Sequence, residues 1–230
     1  DESTWHRANP ALGVFRSLDE MRAAAQRAKE LPAQADAFRR LYLNQWTAAE
    51  SSWMNMQAWD ECGSNVSDAE LFGLPCYGGL DLSATTDLSA FVLVIPYDGR
   101  VYVRHWAWVP GENIIERERR DRVPYRQWAK EGRIELVDGA VISPQHVVRR
   151  VIGLSQRWNI QRIQFDRWGL QGVVEELEGA GFTVAQMGQG YGSMSTPTKQ
   201  LEADVLSRRL AHGGCPLLRW QASCATIATD

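Results

Sequence analysis

Between Tyr77 and Val109 three apolar stretches succeed one another with little chain between them, and this spacing constrains the fold more than any other feature. Tyr77–Ser83, Ser89–Pro96 and Val101–Val109 are rich in aliphatic and aromatic residues and are bounded by turn formers, the pattern of strands. Tyr97-Asp98-Gly99-Arg100 joins the last two, and an Asp-Gly pair between apolar runs is a strong hairpin signal. Strands joined so closely pair antiparallel, so the chain is expected to hold a meander.

Beyond Val109 the chain alternates instead. A charged helix over Asn113–Arg122, a second helix after Pro124 and a short strand at Ile134–Val137 lead to Ser143-Pro144, which starts a helix running to about Trp158. Val147, Val148, Val151, Ile152 and Leu154 form its apolar side. A strand over Ile160–Asp166, a helix with Val173, Val174 and Leu177 ending at Gly179–Gly181, a strand over Phe182–Met187 and a helix from Pro197 to Leu210 complete the pattern. A meander succeeded by helix-separated strands predicts an α/β fold, a mixed sheet flanked by helices.

Ahead of it, residues 1–73 read as a polar helical segment, and 74–230 as the sheet domain. Ser17 and Glu20 form a capping box before a helix over Met21–Leu31, which Pro32 is expected to stop. Trp46, Trp53, Trp59, Phe38 and Tyr42 are too many aromatics for an isolated polar arm and predict a structural collar.

At 230 residues and 44% hydrophobic content the chain can bury one sizeable core. No apolar run approaches the ~18 residues of a membrane span and no signal segment opens the chain, so an intracellular location without membrane contact is expected. Cys62, Cys76, Cys215 and Cys224 show no CxxC or zinc-like spacing and read as free thiols. A net charge of −3 argues against a strongly basic nucleic-acid module, although clustered arginines can still make a local phosphate patch.

The strands carry two acids that a core does not need. Alternation sends Leu80 and Leu82 one way and Gly79, Asp81 and Ser83 the other, so Asp81 looks out of the core among small neighbours. In QFDRWG, Ile163 and Phe165 face the core and Asp166 ends its strand, where α/β sheets place ligands. Taken singly, each Asp is explained as a strand end or helix cap; side by side they suit divalent cations, which need several hard oxygen ligands. On TPTKQLEADVLSRRL, Glu202 falls between Val205 and Leu206 on the inward side and is the third candidate, with Arg209 as its structural partner and Asp204 expected in solvent. Asp87, in a Thr-Thr-Asp sequence, is explained by turn formation.

With these residues in hand the chain resembles the nuclease domain of the large terminase subunit of tailed bacteriophages. NPALGVFRSLDEMRAAAQRAKE, FRRLYLNQWT, MQAWDECG, GGLDLSATTDLSAFVLV, QFDRWG, LEADVLSRRLAHGG and PLLRWQAS carry the resemblance along the whole chain. It implies an RNase H-like fold and metal-binding carboxylates at Asp81 and Asp166. It also implies cleavage of concatenated viral double-stranded DNA, with the portal protein and small terminase subunit as partners in the cytoplasm of an infected bacterium. No GxxxxGK[ST] is present, so the chain is expected to be a nuclease piece without the packaging ATPase. The family's last metal-binding Asp would fall beyond Asp230.

The chemistry expected is in-line hydrolysis assisted by two Mg²⁺ or Mn²⁺ ions at Asp81 and Asp166, with Glu202 as third acid. Arg167 is the foremost phosphate contact, and Arg208 and Arg209, with Arg149 and Arg150, are further ones. Arg117, Arg119, Arg120 and Arg122 alternate with acids in the manner of a solvated helix. His6, His105, His146 and His212 sit in different segments without a nucleophile motif, His212 alone being expected near the acids. Other functions compatible with the fold are a Holliday-junction resolvase or integrase-like nuclease, and a non-catalytic DNA-gripping or portal-docking module.

Overall fold

A computed structural model of the chain describes all residues except 1, 31, 46–52, 65, 84–86, 167–170 and 227–230. It divides into two compact units, residues 1–60 with 218–230, and residues 61–217. Residues 66–68 are tied to the sheet by Arg104, which pairs with Asp68 at 2.5 Å and donates to the Val66 carbonyl at 2.6 Å.

In the first unit α1 (Glu2–Ala8), α2 (Leu18–Glu30) and α3 (Pro32–Leu43) precede α4 (Met56–Glu61). The Ser17 hydroxyl accepts from the Glu20 amide at 3.3 Å, the capping role its position implies. Pro32, expected only to stop a helix, also opens the next one, because its missing N–H is harmless in a first turn. Met21 is fully buried, and Phe38 packs edge-on to Trp5 and stacks on Tyr42. Trp46 lies outside the described residues.

The second unit runs α5 (Asp68–Leu71), β1 (Pro75–Asp81), β2 (Ser89–Tyr97), β3 (Arg100–Pro110), α6 (Ile114–Asp121), α7 (Tyr125–Lys130), β4 (Glu135–Val137), α8 (Pro144–Leu154), β5 (Asn159–Asp166), α9 (Gln171–Gly179), β6 (Val184–Met187), α10 (Tyr191–Leu206) and β7 (Leu210–Ala211). α11 (Pro216–Cys224) then leads back into the first unit. The sheet order is β4-β3-β2-β1-β5-β6, with β7 also on β3. β1, β2 and β3 form the expected antiparallel meander, while β5 joins β1 in parallel.

Alternation on these strands decides which face is sealed. Leu80, Phe91, Leu93, Ile95, Ile163 and Phe165 are buried on one face together with Val147, Val148 and Val151 of α8 and Val173 and Leu177 of α9. The opposite face of β1 and β2, with Gly79, Asp81, Ala90 and Val92, is only partly covered. Glu135 secures the short β4: it accepts from the buried Trp108 indole at 3.1 Å and pairs with His146 at 2.8 Å and Arg150 at 3.2 Å.

Two departures from expectation concern the last third of the chain. α10 starts at Tyr191, ahead of the start expected at Pro197, which stands inside it; the Ser193 and Met194 amides donate to the Gly190 carbonyl at 3.0 Å in its first turn. Leu210, expected to end that helix, belongs to β7. His212 lies just after it in the chain and is buried, its amide donating to the Cys62 carbonyl at 3.1 Å. It sits in the field of His105 on β3 and not beside the acids. His105, 3.3 Å from the Cys215 sulfur, is held at a pKa of about 4, first by burial and then by nearby positive charge.

The adjacent glycines of β1 have opposite tasks. A Cβ at Gly78 would stand 2.8 Å from Phe91 Cε2 and 3.2 Å from Ile163 Cγ1, whereas one at Gly79 would meet nothing within 4 Å. Gly78→Ala is therefore expected to destabilise the fold by about 1–3 kcal/mol through overpacking, and Gly79→Ala to leave it nearly unchanged. Chemical denaturation of the two variants beside the wild type checks this, and equal stabilities would contradict it.

Candidate metal centre

β1 and β5 run side by side in parallel with Gly79 opposite Gln164 and Leu80 opposite Phe165. The next position on each strand is an aspartate, Asp81 and Asp166, and each ends its strand. In-register residues of parallel strands point to the same face, and neighbouring strands lie about 4.8 Å apart. The two carboxylates consequently share one cleft, of about 430 Å³, with Gly79, Ala90, Val92, Gln164, Met187 and Gln189 among its walls.

The pairing is rooted in local sequence. Leu80 and Phe91 on the sealed face set the register of β1, and Ile163 and Phe165 set that of β5, so each aspartate is turned outward by the apolar residue before it. Gly79, two residues before Asp81, leaves the floor of the cleft without a side chain.

Negative charge dominates the surroundings of Asp81. The Asp81 side chain is open to solvent at its rim, yet its carboxyl reaches into the cleft. Burial first, and then the negative charges of Asp166 and Asp87, raise its pKa above the usual aspartate value. Asp81 has no cationic partner among the described residues. Like-charged hard oxygens collected in this way fit a divalent cation, whose charge removes the repulsion.

Asp87, explained from sequence as a turn residue alone, is thus electrically part of the site. The pairing of β1 with β2 brings Ser89 and its neighbourhood back to the end of β1, where the Ser83 amide donates to the Ser89 hydroxyl at 3.1 Å. Among the described residues, however, no three acidic, His or Cys side chains converge closely enough to hold one ion.

Glu202 is not brought to this cleft. The inward residues of α10 are Asp204 and Val205, while Leu201 and Leu206 are exposed and Glu202 is half-buried. Asp204, expected in solvent, is buried, accepts from Gln200 at 3.0 Å and pairs with Arg209 at 3.5 Å. The helix is rotated from the apolar side read in sequence because Asp204 has these two partners and the leucines gain no core. Arg208 pairs with Glu61, its Nε 2.7 Å from Oε2, and neither Arg208 nor Arg209 lines the cleft. Arg167 lies outside the described residues.

A seven-stranded mixed sheet flanked by helices is an RNase H-like fold. The profile of the terminase large subunit, endonuclease domain, matches residues 1–230. The large terminase subunit of Enterobacteria phage HK97 is 32% identical over 230 residues, covering 99% of this chain and 45% of that protein. Protein YmfN of Escherichia coli strain K12 is 26% identical over 230 residues, 96% of this chain and 50% of that protein. The crystal structure of the HK97 bacteriophage large terminase matches with a TM-score of 0.66 at 30% identity, over 95% of this chain and 46% of that one. The chain belongs to the terminase large-subunit endonuclease-domain family, and spans about half the length of the curated relatives it matches.

The raised pKa of Asp81 has a consequence for stability without metal. A carboxyl that holds its proton more tightly in the folded state opposes folding once deprotonated. Its penalty is absent below the ordinary aspartate pKa, grows as pH rises from there to the raised folded value, and is constant above it. Asp81→Asn is therefore expected to raise Tm in EDTA at neutral pH, with the gain shrinking as pH falls from the raised value toward the ordinary aspartate pKa and gone below it. Thermal melts of both proteins across this range check the sign; a variant that melts lower at neutral pH contradicts it.

Proposed function

We propose that this chain is a metal-dependent endonuclease that hydrolyses phosphodiester bonds of double-stranded DNA, the cutting unit of a viral DNA-packaging motor acting on concatenated genomes. The observation that carries this reading is the in-register pair Asp81 and Asp166, outward on adjacent parallel strands, with Asp81 lacking any cationic partner among the described residues. Membership of the terminase endonuclease-domain family supports it.

Asp81 and Asp166 would hold the ions, two Mg²⁺ or Mn²⁺ in this reading, and such ions supply an activated water and charge stabilisation on phosphorus. The chain's own residues do the remaining work. The strand ends fix both carboxylates against a packed core, so the ligands are placed with little freedom. Gly79 leaves room above β1 for a phosphate to approach between them. Val92 and Ala90 give the cleft an apolar wall, which lowers the local dielectric and strengthens the charge interactions there. Asp87 adds negative charge that favours cation binding without itself completing a close cluster. Family membership further supports a portal protein and a small terminase subunit as partners in an infected bacterium's cytoplasm. No described helix is long and apolar enough to cross a membrane.

Nicking of supercoiled plasmid tests the reading. Cleavage is expected with Mg²⁺ or Mn²⁺ and not with Ca²⁺, which tolerates looser geometry. Asp81→Asn and Asp166→Asn should each lose more than about 100-fold in rate, beyond the loss typical of residues that merely support a ligand. Glu202→Gln, away from the cleft, should lose little. Cleavage that survives excess EDTA would sink the proposal, and a preference for four-way junctions over linear duplex would move the chain to the resolvase class.

A further inference from the structure

We propose that the open side of β5 is a track for the phosphodiester backbone, with Arg162 gripping a phosphate a few nucleotides from the one at Asp81 and Asp166; this rests on the nuclease reading. Alternation lines the track up. Arg162, Gln164 and Asp166 succeed one another on one face of β5, and Tyr77, Gly79 and Asp81 lie on the same face of β1 beside them. Tyr77 stands opposite Arg162, and Gly79 opposite Gln164. At about 3.3 Å of rise per residue, Arg162 is about 13 Å from Asp166 along the strand. A duplex laid along β5 advances about four nucleotides over that span.

Arg162 is on this face because of an irregularity in the strand. Ile160 packs against the core, and strict alternation would send Arg162, two residues on, the same way. Instead Cys76 pairs with Ile160 and the next residue, Tyr77, with Arg162, so β5 carries one extra residue, Gln161. Such bulges are rare in parallel pairs, and next to active sites they re-aim a side chain. This one returns Ile163 and Phe165 to the core and puts Arg162 in phase with Asp166.

The polar side chains divide at the bulge. Up to it they are occupied: Gln161 donates to the Asn159 carbonyl at 3.2 Å and to its Oδ1 at 2.7 Å, and Asn159 donates to the Gly73 carbonyl at 3.1 Å. Beyond it, Arg162, Gln164 and the neighbouring Tyr77 make no hydrogen bond or ion pair among the described residues. Arg162 and Gln164 are exposed, and Tyr77 is 50% exposed. The middle of the track is clear, since a Cβ at Gly79 would meet nothing within 4 Å. At about 13 Å along the strand, Arg162 is farther from Asp166 than the Debye length of about 10 Å at 0.1 M salt, so that acid does not neutralise it. A planar, bidentate donor left in line with a carboxylate pair that suits cations fits phosphate oxygens better than any uncharged partner.

The test uses the whole chain with Arg162→Gln, the charge-retaining Arg162→Lys, Tyr77→Arg, which sets a second cation beside Arg162, and Arg27→Gln on α2 as a control of equal charge change. Binding to a labelled linear duplex is measured in EDTA across salt concentrations, nicking is measured in Mn²⁺, and thermal melts establish folding. Arg162→Gln should make the slope of log K against log salt shallower by about 0.9, one phosphate contact's worth. It should raise KM several-fold with little change in kcat, because the grip is the same before and during the reaction. Arg162→Lys should restore most of the slope, and Arg27→Gln should leave it unchanged. Tyr77→Arg should steepen the slope by about 0.9, a gain that loss of fold cannot produce. A folded Arg162→Gln with wild-type slope and KM, or a folded Tyr77→Arg with wild-type slope, in a preparation whose wild type cleaves would overturn the track while leaving the nuclease standing. A wild type that neither binds nor cleaves duplex removes both.

Discussion

Everything at the candidate site depends on the parallel pairing of β1 with β5. These strands are far apart in sequence, and their register brings Asp81 beside Asp166 at one end of the sheet. Burial first, and then the repulsion from Asp166 and Asp87, raise the pKa of Asp81, so the arrangement has a cost. The pairing survives because the other face of the same residues is a packed core. Gly78 admits the Phe91 ring, and Ile163, Phe165, Val147 and Val151 close over it. Burial of this kind contributes about 1.5–3 kcal/mol for each large side chain, enough to hold an arrangement that electrostatics alone would push apart.

The two faces of β1 therefore do different work with one alternation. Inward residues fix position, and outward ones supply chemistry. Gly79 and Asp81 are on the open side, and the absence of a side chain at Gly79 gives the carboxylates a floor that a phosphate can approach. Negative charge gathered from Asp81, Asp166 and Asp87 would drive a polyanion away unless cations intervene. In the function proposed above, cations held by the carboxylates would answer that repulsion at the reacting phosphate.

Elsewhere the charged residues are chiefly structural. Asp204 is buried with Gln200 and Arg209 for partners, and Arg208 is committed to Glu61. Glu135 joins Trp108 of β3 to His146 and Arg150 of α8, which explains how a strand of three residues keeps its place at the sheet edge. These side chains satisfy one another inside the fold, and that separates them from Asp81, whose charge has no such partner among the described residues.

The strands of the meander, the Asp-Gly hairpin, the α8 helix and the outward aim of Asp81 were legible in the sequence, because each depends on neighbours within a few residues: alternation, turn chemistry, a Ser-Pro start. Asp166 was legible for the same reason, as the polar end of an apolar strand. What only the tertiary structure decided were matters of rotation and distance. The facing of α10 is one: its leucines suggested one side, and the Asp204–Arg209 pair, formed across the turn into β7, selected another. Asp87 is a second, since its charge reaches Asp81 only after β2 folds back along β1. The partner of Glu118 is a third, because Arg126 reaches it only once α7 folds back beside α6. Local pattern sets which residues are strands and which side each shows, whereas the company a charge keeps is set by chain segments that pattern does not connect.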